Sequence, residues 1–208
     1  MFAKLTASLA TLLLLAGFAQ DASAATKSFT LDQDACTGGC GPAPYGTVNL
    51  TEISAFQVDV LVTLVAPIQF VNTGAGSALA FSFTPGVGIS LSNITSGFAR
   101  DFTPKGIQNS GFTYGVECTS CGSGASNPNP GPLSFSVVSG VAITVANFIA
   151  NASGYFFSAD VLGSTGNTGN VGAKAGVLGA TPVPEPASLA LLGAGVIGLL
   201  AARRPRRK

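Results

Sequence analysis

The chain has 208 residues, only 9% of them charged, and contains no histidine and no tryptophan. A charge content far below the quarter usual for globular domains argues against an ordinary cytosolic enzyme, and the missing histidine removes the commonest general base and the usual partner of a nucleophilic Ser or Cys. The net charge of +1 is an average over a basic tail and an acidic body, since four cations face seven carboxylates between Ala25 and Val183. Such a body has no electrostatic footprint for nucleic acid, and no nucleic-acid partner is expected.

Residues 1–24 carry one cation, Lys4, then an apolar run from Leu9 to Phe18 and the small-residue pattern Ala22-Ser23-Ala24. This is the layout of a secretory signal helix cleaved between Ala24 and Ala25. Alternation of apolar and polar residues then predicts strands over 27–32, 46–54, 56–65, 68–72, 79–83, 89–94, 97–103, 111–118, 133–138 and 155–162. In 56–65, Phe56, Val58, Val60, Val62 and Leu64 share one face. Leu61 makes the far end of the other face apolar as well, as in a central strand covered on both sides. Residues 118–132 and 163–172, rich in Gly, Pro, Asn and Ser, read as loops. Residues 141–151 are the one helical candidate of the body, with Thr144 as a cap and Val145, Phe148 and Ile149 on one side. A strand is the alternative there, because Val, Ile and Thr favour strands.

Short strands at this spacing, with 27 glycines spread among them, predict an all-β fold, a β-sandwich or jelly roll over 25–180. Cys36, Cys40, Cys118 and Cys121 form two close pairs. In an exported protein these read as two disulfides, local or crossed, and a four-cysteine zinc site is the alternative. No other metal and no cofactor is expected. A catalytic carboxylate pair would have to come from Asp32, Asp34, Glu52, Asp59, Asp101, Glu117 and Asp160, none of which stands in a recognisable motif. A sugar-stacking surface would have to use Tyr45, Tyr114, Tyr155 or exposed Phe.

Residues 181–208 form a third segment. A proline-spaced linker holding Pro184, Glu185 and Pro186 leads into sixteen uncharged residues, Ala187 to Ala202, and then Arg203, Arg204, Arg206, Arg207 and Lys208. As a helix the uncharged run is about 24 Å long, short of the ~30 Å hydrocarbon core, so it predicts a marginal transmembrane helix. Its basic flank sets the cytoplasmic side. Pro-Glu-Pro, apolar helix and terminal Arg cluster, in that order and together with a signal peptide, resemble the PEP-CTERM sorting signal of Gram-negative bacteria that make exopolysaccharide. The resemblance implies processing at or near the motif by exosortase, a membrane cysteine protease, after transient tethering to the inner membrane with the body in the periplasm. Residues 41–48, 70–76, 155–160 and 166–173 also resemble secreted domains found with this signal, which implies a β-rich cargo and adds no site residues. The expectation is an exported, non-enzymatic protein of the cell surface or extracellular matrix, structural or adhesive and associated with exopolysaccharide. A carbohydrate-binding module is the alternative, and a glycoside hydrolase a more distant one.

Overall fold

The computed structural model describes residues 24–179, which make up one compact unit. The signal segment up to Ser23 and the tail from Ala180, with its predicted transmembrane helix, lie outside the described residues. Among the described residues no helix is long and apolar enough to cross a membrane.

The body is all β. Its strands are β1 (Thr26–Leu31), β2 (Gln33–Cys36), β3 (Gly46–Ser54), β4 (Gln57–Leu64), β5 (Gln69–Asn72), β6 (Leu79–Phe83), β7 (Ile89–Ser92) and β8 (Phe98–Asp101). There follow β9 (Tyr114–Cys118), β10 (Gly124–Asn129), β11 (Leu133–Ser139), β12 (Phe148–Ile149), β13 (Phe157–Leu162), β14 (Thr168–Ala173) and β15 (Gly176–Leu178). A six-stranded antiparallel sheet has the order β15-β1-β3-β4-β11-β7. In the nine-stranded sheet β13 is the axis. One of its edges carries β14 and then β2, and the other is shared by β5 at Val161–Leu162 and β6 at Phe157–Ser158.

Alternation explains the packing between the sheets. Phe29, Leu31, Val48, Leu50, Val58, Val60 and Val62 of the first sheet are buried in the same cluster as Phe70, Phe81, Phe157 and Val161 of the second. Phe81 is the hub, its ring centroid 5.4–6.3 Å from those of Tyr114, Phe135, Phe148 and Phe157. Rings tilted or offset at such spacings add to the area they bury.

Two short segments pass from one sheet to the other together. Residues 26–36 begin in the six-stranded sheet as β1 and continue past Asp32 into the nine-stranded sheet as β2. Residues 168–178 do the same in reverse as β14 and β15, pairing with the first segment on both sides of the crossing. The backbone bond from Asp32 N to Gly172 O, 3.0 Å, sits at the corner. This ladder closes one side of the sandwich.

Several expectations need correction. The loop predicted over 118–132 contains β10, which pairs with β5 at Gly124↔Asn72 and Asn129↔Phe70. The turn-rich 163–172 contains most of β14, and Gln33–Cys36, outside every predicted strand, forms β2. The helical candidate is one 3-10 turn, Val145–Asn147, followed by β12. Its cap is as predicted: Thr144 Oγ1 accepts from Ala146 N, and Thr144 N donates to Asn147 Oδ1 at 2.7 Å. On β4 the second face is not covered, because Leu61 is 41% exposed and Val65 47%, and Phe56 falls before the strand and is 52% exposed. Strand β6 is instead buried at every position.

The hub gives a direct test. Phe81→Ala should cost about 3–5 kcal/mol of unfolding free energy in a denaturant titration, whereas Phe102→Ala, at a residue 80% exposed, should stay within about 0.5 kcal/mol of wild type.

Candidate functional site

Both cysteine pairs close locally, Cys36 with Cys40 and Cys118 with Cys121, each with Cα atoms 5.4 Å apart. Among the described residues no cysteine is free. Asp34, Cys36 and Cys40 bring their ligand atoms within 4.8 Å of one another, yet sulfurs joined in a disulfide supply no thiolate for zinc. The donor set does not fit the zinc alternative.

Asp34 instead organises the first loop. Its Oδ1 accepts from Cys36 N at 2.8 Å and its Oδ2 from Cys40 N at 2.9 Å. Tyr45 Oη lies 3.0 Å from Oδ2 and 2.8 Å from the Gly41 carbonyl oxygen. Burial opposes the charge, but the two amide hydrogen bonds and the phenol outweigh it and hold the Asp34 carboxyl below its ordinary 3.8. Burial first, then the hydrogen bond and charge of Asp34, push the Tyr45 phenol up.

The remaining carboxylates are dispersed. Asp32 accepts from Gln33 Nε2, Glu52 Oε1 from Val145 N at 2.8 Å, and Asp101 from Ser77 Oγ at 2.6 Å. Asp59 lies on the outer face of β4 beside Gln57, and Glu117 is exposed on β9. The tyrosines are committed to structure. Tyr45 and Tyr155 are buried, and Tyr114 stacks on Phe81.

Asp160 is the unusual group. On β13 it points away from the main core, yet it is fully buried beneath the turn Thr73-Gly-Ala-Gly-Ser77. Its Oδ2 accepts from Thr73 N at 3.0 Å and from Thr73 Oγ1 at 2.6 Å, while Oδ1 has no partner. Directly opposite on β14 stands Asn170, whose Nδ2 donates to Ala75 O at 3.3 Å and whose Oδ1 is also buried without a partner. Burial, only partly offset by the two Thr73 bonds, pushes the Asp160 carboxyl up to about 6. The two orphan oxygens stand on directly paired residues of neighbouring strands. Two charged groups bond to the turn, Lys105, whose Nζ donates to Gly74 O at 3.1 Å, and Asp101, which accepts from Ser77 Oγ. Sequence alone hinted at this cluster only through a carboxylate inside the otherwise uncharged strand Phe157–Leu162.

The predicted sorting residues Pro184, Glu185, Pro186, Arg203, Arg204, Arg206, Arg207 and Lys208 lie outside the described residues. The two ends of the body are placed, however. Ala24 is exposed, Ala25 O accepts from Glu52 N at 2.9 Å, and Gly179 N donates to Thr26 O at 3.0 Å. The expected signal cleavage point and the departure of the tail therefore lie side by side, on β1 and β15. A family model described as the PEP-CTERM protein-sorting motif matches residues 182–207. The chain carries a PEP-CTERM protein-sorting motif. That motif supports export by exosortase-type sorting and implies exosortase as the processing partner. No curated protein and no solved structure matches the chain.

Asp160 sets a pH dependence of definite sign. A carboxyl raised from 3.8 to about 6 binds its proton more tightly folded than unfolded, so its contribution is fully present below pH 3.8 and is lost as pH rises through 6. The loss is on the order of 2–3 kcal/mol. Asp160→Asn keeps an acceptor for Thr73 and supplies a donor for Asn170. It should be more stable than wild type at pH 8, match it near pH 4, and show a flatter curve of unfolding free energy against pH.

Proposed function

We propose that this PEP-CTERM protein is a structural or adhesive component of the cell surface or extracellular matrix, associated with exopolysaccharide. The observation that carries the reading is a sorting motif at 182–207 attached to a self-contained sandwich that ends at Gly179. Nothing of the body is shared with the address, so the body is cargo. Its two local disulfides suit an oxidising destination, and its dispersed carboxylates favour a non-enzymatic role.

The tail acts as a transient hold. Sixteen uncharged residues are a marginal span of the bilayer, and the five cations behind them keep that end cytoplasmic while the body stands in the periplasm. This arrangement offers Pro184-Glu185-Pro186 to a membrane protease near the outer surface of the inner membrane. Release then delivers the body to the surface or matrix.

Fractionation of an exosortase-bearing host tests the reading. Wild type is expected at the surface or in the matrix, shortened at its C-terminus by mass spectrometry. A Pro184→Ala, Glu185→Ala, Pro186→Ala triple variant, or wild type in a host lacking exosortase, is expected at full C-terminal length in the inner-membrane fraction. Correct processing of the triple variant would sink the reading of these residues as the recognised motif. Wild type left in the periplasm after processing would sink the surface assignment.

A further inference from the structure

The two outer faces of the sandwich differ. The nine-stranded sheet is roofed, because Ala80, Ile107, Phe112 and Tyr155 form a second apolar cluster on its outside. Among the described residues the outer face of the six-stranded sheet has no such roof, and its register aligns side chains into rungs that run across the strands. One rung is Val177, Ser28, Asn49, Leu61 and Ser134, opposed in that order across β15, β1, β3, β4 and β11. Two residues along runs Thr26, Thr51, Asp59, Ser136 and Ser92, across β1, β3, β4, β11 and β7. Two depressions of ≈ 360 Å³ each follow these rungs and meet at Asn49 and Thr51. Five strands set the length of the resulting trough at about 19 Å, and the rungs stand about 7 Å apart.

The polar groups of the lining are hydroxyls and amides with a single carboxylate, set in a surface that is more carbon than polar, most of all at the β15 end. Asp59 Oδ1 accepts from Gln57 Nε2 at 2.8 Å, which also lies 3.3 Å from Ser136 Oγ, and Asn93 Nδ2 reaches the same hydroxyl at 3.2 Å. These bonds hold the polar groups in place before anything arrives. Leu61 and Val177, 41% and 74% exposed, set apolar steps between them. The one cation of the lining, Lys27, has its ammonium 5.0 and 5.1 Å from the ring centroids of Phe29 and Phe156, at the sheet end.

We propose that this trough binds a linear, neutral polysaccharide lying across β15 to β11. A sugar hydroxyl both donates and accepts, which the amides and hydroxyls match, and the C–H faces of the rings rest on Leu61 and Val177. An acidic polymer meets Asp59, with the only nearby cation already placed over two rings. A single small molecule fills a fraction of a 19 Å trough. An extended peptide adds to a sheet edge through its backbone, and on this face the backbone groups are spent between neighbouring strands. The inference rests on the matrix reading for where the ligand is met, and adds the site and the class of polymer.

Isothermal titration of the full chain with cellohexaose, laminarihexaose, glucose and the polyuronate alginate tests it. Saturable binding of a neutral hexasaccharide is expected, with glucose at least about tenfold weaker and alginate without measurable heat. Thr51→Arg, which fills the junction of the two depressions, and the pair Asn49→Ala, Asp59→Ala should each weaken hexasaccharide binding about tenfold or more at unchanged melting temperature. Glu117→Ala, on the other sheet, should leave it unchanged. Hexasaccharide binding that both trough variants leave intact would overturn the site while keeping polysaccharide association. Preference for alginate, or glucose binding as tight as hexasaccharide, would overturn the class of ligand. Absence of binding to both hexasaccharides would overturn the proposal entirely, and delivery to the surface would still be decided by fractionation.

Discussion

The structure depends on the paired crossing of 26–36 and 168–178 from one sheet to the other. Without it the two sheets would be joined only by their cores and their longer connections. Two close approaches make the crossing possible. Opposite Phe29 stands Gly176, where a Cβ would come within 2.5 Å of the phenyl ring. Opposite Cys36 stands Gly169, at φ +155°, where a Cβ would lie 2.7 Å from the Cys36 Cα. A side chain at Gly176 would force the strands apart beside the corner, and one at Gly169 would do so at the far end of the ladder. The Cys36–Cys40 disulfide and the Asp34 clamp secure the far end of the same ladder. Gly39 O receives Thr165 Oγ1 at 2.6 Å and Asn167 Nδ2 at 3.0 Å from the turn leading into β14.

That corner also explains why the two faces differ. The nine-stranded sheet carries the long connections, and the segment holding Ile107 and Phe112 folds back over it. Ile107 N donates to Ser158 Oγ at 2.8 Å, and Gly172 leaves room for Tyr155, whose ring a Cβ would approach to 2.9 Å. Under such a roof an ionised Asp160 is costly, because no water reaches its second oxygen. Among the described residues the six-stranded sheet, with β3 and β4 as its long central hairpin, carries no second apolar cluster on its outside. Its outward side chains are mostly polar and regularly spaced, and Ser136 among them is buried with Gln57 and Asn93 on its hydroxyl.

The sequence was most legible where one face was wet and the other dry. β3 and β4 follow the alternation of their apolar residues almost to the residue, because Val48, Leu50, Val58, Val60 and Val62 must enter one core. It was least legible where glycine served packing. Thr168–Ala173 reads as a turn from its two glycines, yet Gly169 and Gly172 are there because Cys36 and Tyr155 press against the strand. β10 is similar, being held by a neighbour and not by its own pattern. Ser120 O accepts from Asn127 Nδ2 at 2.7 Å, and Ser120 Oγ from Asn129 Nδ2 at 2.9 Å. Of the candidate site, the address was legible because its parts are contiguous. Asp160 with Asn170, and the rungs across the open sheet, were not, since each is assembled by register between strands far apart in the chain.

The same register bears on how cargo and address are joined. β1 and β15 are antiparallel neighbours, and the last backbone bond of the body, Gly179 N to Thr26 O, falls three residues before the matched motif begins at 182. Cutting near Pro184 therefore removes nothing from the ladder, and cutting between Ala24 and Ala25 leaves Ala25 still bonded to Glu52. The described ends of the body, Ala25 and Gly179, are both hydrogen-bonded into the six-stranded sheet. A body whose described ends are both bonded into the sheet keeps those bonds when the chain is cut outside them.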